Sequence, residues 1–86
     1  MSQQESVDAG RVLVAALHTR AAEIRRAEIA RARRRLAPEQ CQAVDALLGA
    51  IVSRLLDAPA AAIEELGREG RAASSAPAVR SVLGLS

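Results

Sequence analysis

Between Pro38 and Asp57 the aliphatic residues recur at alternating spacings of three and four: Cys41, Val44, Leu48, Ile51 and Leu55, flanked by Leu47, Val52 and Leu56. That period puts the five on one stripe of an α-helix, and the flanking residues make the apolar face wide. The chain around it is 86 residues long, a size at which about 60% of the unfolded surface is buried on folding. Disulfides, a metal or a partner chain usually supplement so small a core. One cysteine, Cys41, cannot close a disulfide within the chain, and the one histidine, His18, forms no zinc set with it at standard spacings. There is no Phe, Trp or Tyr, so the core must be built from Leu, Ile, Val and Ala, which supply little bulk per residue. Partner-assisted folding is the support that remains.

The rest of the chain also reads as helix. From about Arg11 to Leu36 there is no Pro and no Gly, and Ala, Leu, Arg and Glu dominate, all strong helix formers. Its apolar residues form two stripes, Ala15, Ala22, Ile29 and Leu36 at spacings of seven and Leu13, Leu17 and Ile24 on another face, so this helix expects two neighbours. Ala37-Pro38 breaks it, because a proline disfavours the α region at the preceding residue and suits the first turn of a new helix. Helix two is expected over about Pro38 to Asp57, with Gly49 inside it either as a weak spot or as a point of close backbone approach. Ala58-Pro59 is expected to end or bend it, and Ala60 to Leu66 to form a short third helix stopped by Gly67 or Gly70. These boundaries predict a flexible N-terminus over 1–9, a helical domain over 10–67 and a flexible tail over 68–86. The fold class expected is all-α, a small bundle of two main helices and a short third, completed by dimerisation.

No catalytic constellation is present. Cys41 occupies an apolar helical position, where burial is the ordinary outcome, and His18 stands beside polar Thr19 and Arg20 in no recognisable motif. The phosphate-cradling glycine motifs and the zinc-protease HExxH are absent. No cofactor or metal site is expected. The run Arg31, Arg33, Arg34, Arg35 is the argument for nucleic acid, since clustered guanidinium groups neutralise phosphates. Against it, these cations close a helix, where they offset the negative end of the dipole, and no aromatic side chain is available to stack on a base. An Arg-rich helical nucleic-acid-binding adaptor is therefore the alternative reading and self-association the leading one. The polar start, Ser2 to Asp8, and the lack of any apolar run near 20 residues suggest neither a signal peptide nor a membrane span, and the cytoplasm is the expected compartment.

The two long segments also carry a family likeness. Residues 17–36, LHTRAAEIRRAEIARARRRL, and residues 37–59, APEQCQAVDALLGAIVSRLLDAP, resemble the two main helical segments of the glutamyl-tRNA reductase dimerisation domain. The closest correspondence is at Ala22-Glu23-Ile24-Arg25 with Glu28 and Ala32, and at Val52-Ser53-Arg54-Leu55-Leu56-Asp57-Ala58-Pro59. Ser53-Arg54, Asp57 and Ala60 depart from the Asn-Lys, His and Thr common in that family. The resemblance implies a domain that joins two subunits of an enzyme reducing glutamyl-tRNA to glutamate-1-semialdehyde with NADPH, at the entry to tetrapyrrole (porphyrin) synthesis. It also implies that the catalytic and NADPH-binding domains lie N-terminal to the region seen here, and that Cys41 is not the family's nucleophile. The expected partner is a second copy or a full-length reductase subunit. The expected interface residues are Leu17, Ile24, Ile29, Val44, Leu48, Ile51, Val52, Leu55 and Leu56.

Overall fold

The computed structural model describes residues 2–85, which form three α-helices and no strand: α1 Gln3–Ala32, α2 Pro38–Arg68 and α3 Ala72–Leu83. The all-α expectation holds, with different helix boundaries. α1 and α2 pair as a long antiparallel hairpin, because Gly10 near the start of α1 meets Gly67 near the end of α2 while Arg25 meets Asp45 and Gly49 close to the turn. The body measures 51 × 20 × 16 Å. α3 folds back at the open end of the hairpin and lays Ala76, Val79 and Leu83 against a core of Leu13, Leu17 and Ile63.

α1 begins at Gln3, inside the stretch expected to be a lead-in. Two features account for this. Ser2 caps the helix by accepting the Glu5 N–H on its Oγ at 3.1 Å, which satisfies one of the orphan donors of the first turn. Ser6 and Gly10, one turn apart, then form a seam of small residues against α2. A Cβ at Gly67 would stand 3.1 Å from the Ser6 carbonyl oxygen, and one at Gly10 would stand 3.3 Å from that of Ile63. The two backbones approach closely because these positions carry almost no side chain. Ser6 is fully buried, and its Oγ accepts the backbone N–H of Ala72 at 3.4 Å, so one hydroxyl ties the first turn of α3 to the same crossing.

Pro59 does not end α2, and Ala60 to Leu66 continues that helix as part of Pro38–Arg68. Proline withholds the N–H that the carbonyl of Leu55 would accept, a loss of one helical hydrogen bond. The segment beyond it is held by packing, since Ile63 belongs to the core and Gly67 to the small-residue seam. Tertiary contact thus overrides the local breaker. α2 ends instead at Arg68, and Gly70 two residues on, with a φ of 76°, turns the chain left-handed. There the Arg71 N–H donates to the Leu66 carbonyl at 2.8 Å and the Gly70 N–H to that of Gly67 at 3.2 Å, a double closure of the final turn. The expected tail accordingly contains α3, closed by a second left-handed glycine, Gly84. Met1 and Ser86, at the outer ends of the stretches 1–9 and 68–86, lie outside the described residues.

At the α1–α2 turn, Gln40 accepts the Ala37 N–H at 2.9 Å, which fixes the entry to α2 behind Pro38. Cys41 is buried there, its thiol 3.8 Å from the Leu36 carbonyl. Gly49 supports close approach, but of a side chain: the guanidinium of Arg25 lies over it, 2.8 Å from where a Cβ would be, and reaches Asp45 at 2.7 Å.

The two helical glycines therefore respond oppositely to alanine. Gly67→Ala gains about 1 kcal/mol of helix propensity yet forces two backbones apart, and a net loss of about 1–2 kcal/mol is expected. Gly49→Ala displaces only the tip of a flexible arginine and is expected to stay within about 1 kcal/mol of the parent. Urea denaturation midpoints at equal protein concentration measure both.

Candidate self-association surface

The core within one chain is small. Leu13, Leu17, Ile29, Cys41, Ile63, Ala72 and Leu85 are its buried apolar residues, and Val14 and Leu56 pack on its edge with the α3 residues. α1 covers one side of α2 by presenting Leu13 and Leu17 to Ile63 and Leu56. The other side of α2 has no cover. Leu47, Ile51 and Leu55, at spacings of four, are 59%, 43% and 68% exposed, and Val44 and Leu48 beside them are half-buried. Successive residues four apart lie on one slowly turning stripe, and the exposed Ala58 and Ala62 carry it past Pro59. Three large aliphatic side chains in a row on one helix form a patch of the kind that marks an association surface.

The residues expected at the interface divide into two groups. Ile51 and Leu55 stand on the open stripe, Val44 and Leu48 border it, and Ile24 is exposed on α1. Leu17 and Ile29 are buried by the chain's own packing, Leu56 leans on the core, and Val52 is half-buried in the α1–α2 groove with His18 and Ala22. Leu47 is absent from the expected set although it is part of the open stripe. The signal was the i, i+4 series Leu47, Ile51, Leu55; the alternating three-four series through Val44 and Leu48 selects a line displaced toward α1. Exposed Val12 and Val82 on the other two helices are isolated from such a series.

Charge surrounds this surface in an uneven way. Arg33, Arg34 and Arg35 are exposed in the turn after α1, where the N–H groups of Arg34 and Arg35 close on the carbonyls of Arg31 and Ala32. Arg25 pairs with Asp45 across the helices, and Arg31 pairs with Glu28 along α1 at 2.6 Å. The clefts along the α1–α2 groove at this end are shallow, of about 330 and 380 Å³, and are lined by Ile29, Arg33 and Asp45. Among the described residues no three His, Cys, Asp or Glu side chains converge as metal ligands.

α2 is, by length and composition, apolar enough to cross a membrane, because the helix runs on through Pro59 to Arg68. The same apolarity describes a helix with one face on α1 and another left open.

Ile51→Glu places a charge at the centre of the stripe without touching the core. Light scattering after size exclusion is expected to report a single-chain mass for this variant at concentrations where the parent is associated. Val82→Glu, at an exposed position on α3, is expected to leave the mass unchanged.

Two comparisons found no match, one with curated proteins and one with solved structures. The model of one family, described as glutamyl-tRNAGlu reductase, dimerisation domain, matches residues 1–85.

Proposed function

The chain belongs to the glutamyl-tRNA reductase dimerisation-domain family, and from that premise we propose that it is a self-association module that carries out no catalysis of its own. The observation that carries this reading is the open α2 stripe of Leu47, Ile51 and Leu55 beside a core of few buried residues. Fully burying an aliphatic side chain stabilises by about 1.5–3 kcal/mol, so covering three per chain is a substantial gain for a domain this small. The partner is a second copy or a reductase subunit bearing the same domain. Through that pairing the module serves the NADPH-dependent reduction of glutamyl-tRNA to glutamate-1-semialdehyde in tetrapyrrole synthesis. The chemistry and the NADPH site belong to catalytic and cofactor-binding domains outside this module.

The cytoplasm suits this role. Although α2 alone is apolar enough for a bilayer, α1 lies along it carrying Arg20, Glu23, Arg25, Arg26 and Glu28, and such a charged companion is excluded from hydrocarbon by several kcal/mol per group.

A dilution series tests the proposal. Light scattering is expected to give twice the chain mass at high concentration, and far-ultraviolet circular dichroism is expected to lose helicity as the pair dissociates. A fully helical monomer at every concentration would overturn it.

A further inference from the structure

The antiparallel hairpin sorts charge along the 51 Å body. The half that holds the α1–α2 turn, residues 18–56, contains eight Arg against four acidic residues. The other half, residues 1–17 with 57–86, contains four Arg against six. One end is therefore basic and the other acidic, while the apolar stripe runs between them. Two identical chains joined through the same patch obey a twofold axis. If the axis lay along the helices, like ends would meet. If it crosses them, each basic end meets an acidic one.

We propose that two copies pack antiparallel along α2, with the twofold axis passing near Ile51, so that Arg34 and Arg35 of each chain face Glu65 and Glu69 of the other. This deepens the self-association reading and rests on it. Ile51 is the middle of the three exposed aliphatics, so an axis there brings Leu47 of one chain onto Leu55 of the other and covers the stripe completely. The ends then fall into place by helical geometry. Fourteen residues from Ile51 in either direction are positions 37 and 65, about 21 Å away and roughly 40° off the centre line. At position 37 the chain has just left the Arg33–Arg35 turn, and at position 65 stands Glu65, followed one turn later by Glu69. Among the described residues these two carboxylates hold only exposed pairs, Glu65 with Arg68 at 2.5 Å and Glu69 with Arg71 at 3.0 Å. Arg33, Arg34 and Arg35 have no ion pair among the described residues. A parallel pair would instead set the two arginine turns side by side, with like charges opposed.

Cysteine cross-linking reads the orientation directly. Ile51→Cys stands on the axis and is expected to form a disulfide between chains whichever way they run, so it reports pairing alone; buried Cys41 makes the parent chain the control. Differently tagged Leu47→Cys and Leu55→Cys chains, mixed and oxidised, are expected to give the 47–55 heterodimer in excess. An excess of 47–47 and 55–55 products would overturn the antiparallel arrangement and leave self-association standing. No product from Ile51→Cys, with a single-chain mass in light scattering, would overturn the reading beneath it. Charge reversal gives an independent measurement: Arg34→Glu with Arg35→Glu is expected to weaken pairing by about tenfold at low salt. Adding Glu65→Arg and Glu69→Arg to the same chain is expected to restore it. Failure of that restoration would also overturn the arrangement.

Discussion

The close crossing of α1 and α2 at Ser6, Gly10 and Gly67 holds the rest of the fold in place. A Cβ at either glycine would stand 3.1–3.3 Å from a facing carbonyl oxygen, so the two backbones leave little room for a side chain there, and that contact sets their alignment. That alignment brings Ile63 onto Leu13 and Leu17 and positions the Ser6 hydroxyl to receive the first turn of α3. With the open end of the hairpin clamped and the other end joined by the Ala37-Pro38 turn, one face of α2 is committed to α1. The remaining face, with Leu47, Ile51 and Leu55, is left outward as a consequence of that commitment.

A core made only of aliphatic side chains suits such an arrangement. Leu, Ile, Val and Ala interdigitate well between helices but each covers little area, so a chain of this length cannot enclose all of its apolar surface. On α2 the exposed aliphatics Leu47, Ile51 and Leu55 form a continuous row, whereas Val12, Ile24 and Val82 stand singly on the other two helices. Charged residues on α1 keep its outer side solvated, with pairs such as Arg20–Glu23 and Arg31–Glu28 along the helix. The division is between a polar helix whose outer side is solvated and an apolar one with one face on α1 and another left open.

Much of this was legible in the sequence for specific reasons. The helical class followed from the three-four spacing in α2 and the unbroken run of helix formers in α1, and Pro38 marked the turn between them. The continuity of α2 through Pro59 is not legible locally, because the missing N–H is a local signal while the packing of Ile63 and Gly67 depends on residues some 55 positions away. The start of α1 is hidden for the same reason: Ser6 and Gly10 look like a weak helical stretch until Gly67 supplies the surface they fit. Of the residues expected at an interface, Ile51 and Leu55 stand on the exposed stripe, as the spacing of α2 alone suggests. Leu17 and Ile29 could not be sorted into inward or outward positions, because that choice depends on which stripe of α1 meets α2.

The crossing also bears on the order in which the chain acquires its structure. Gly10 and Gly67 are separated by 56 intervening residues, whereas the contacts around Arg25 and Asp45 span about a third of that distance, and loop closure favours the shorter connection. On that ground pairing of α1 with α2 is expected to start at the turn and run toward the termini, with the glycine seam and the docking of α3 closing last. Contacts formed after the rate-limiting step govern how fast a protein opens more than how fast it folds. With that order the seam acts as a latch, and loosening it at the end farthest from the turn shortens the lifetime of the closed hairpin more than it slows folding.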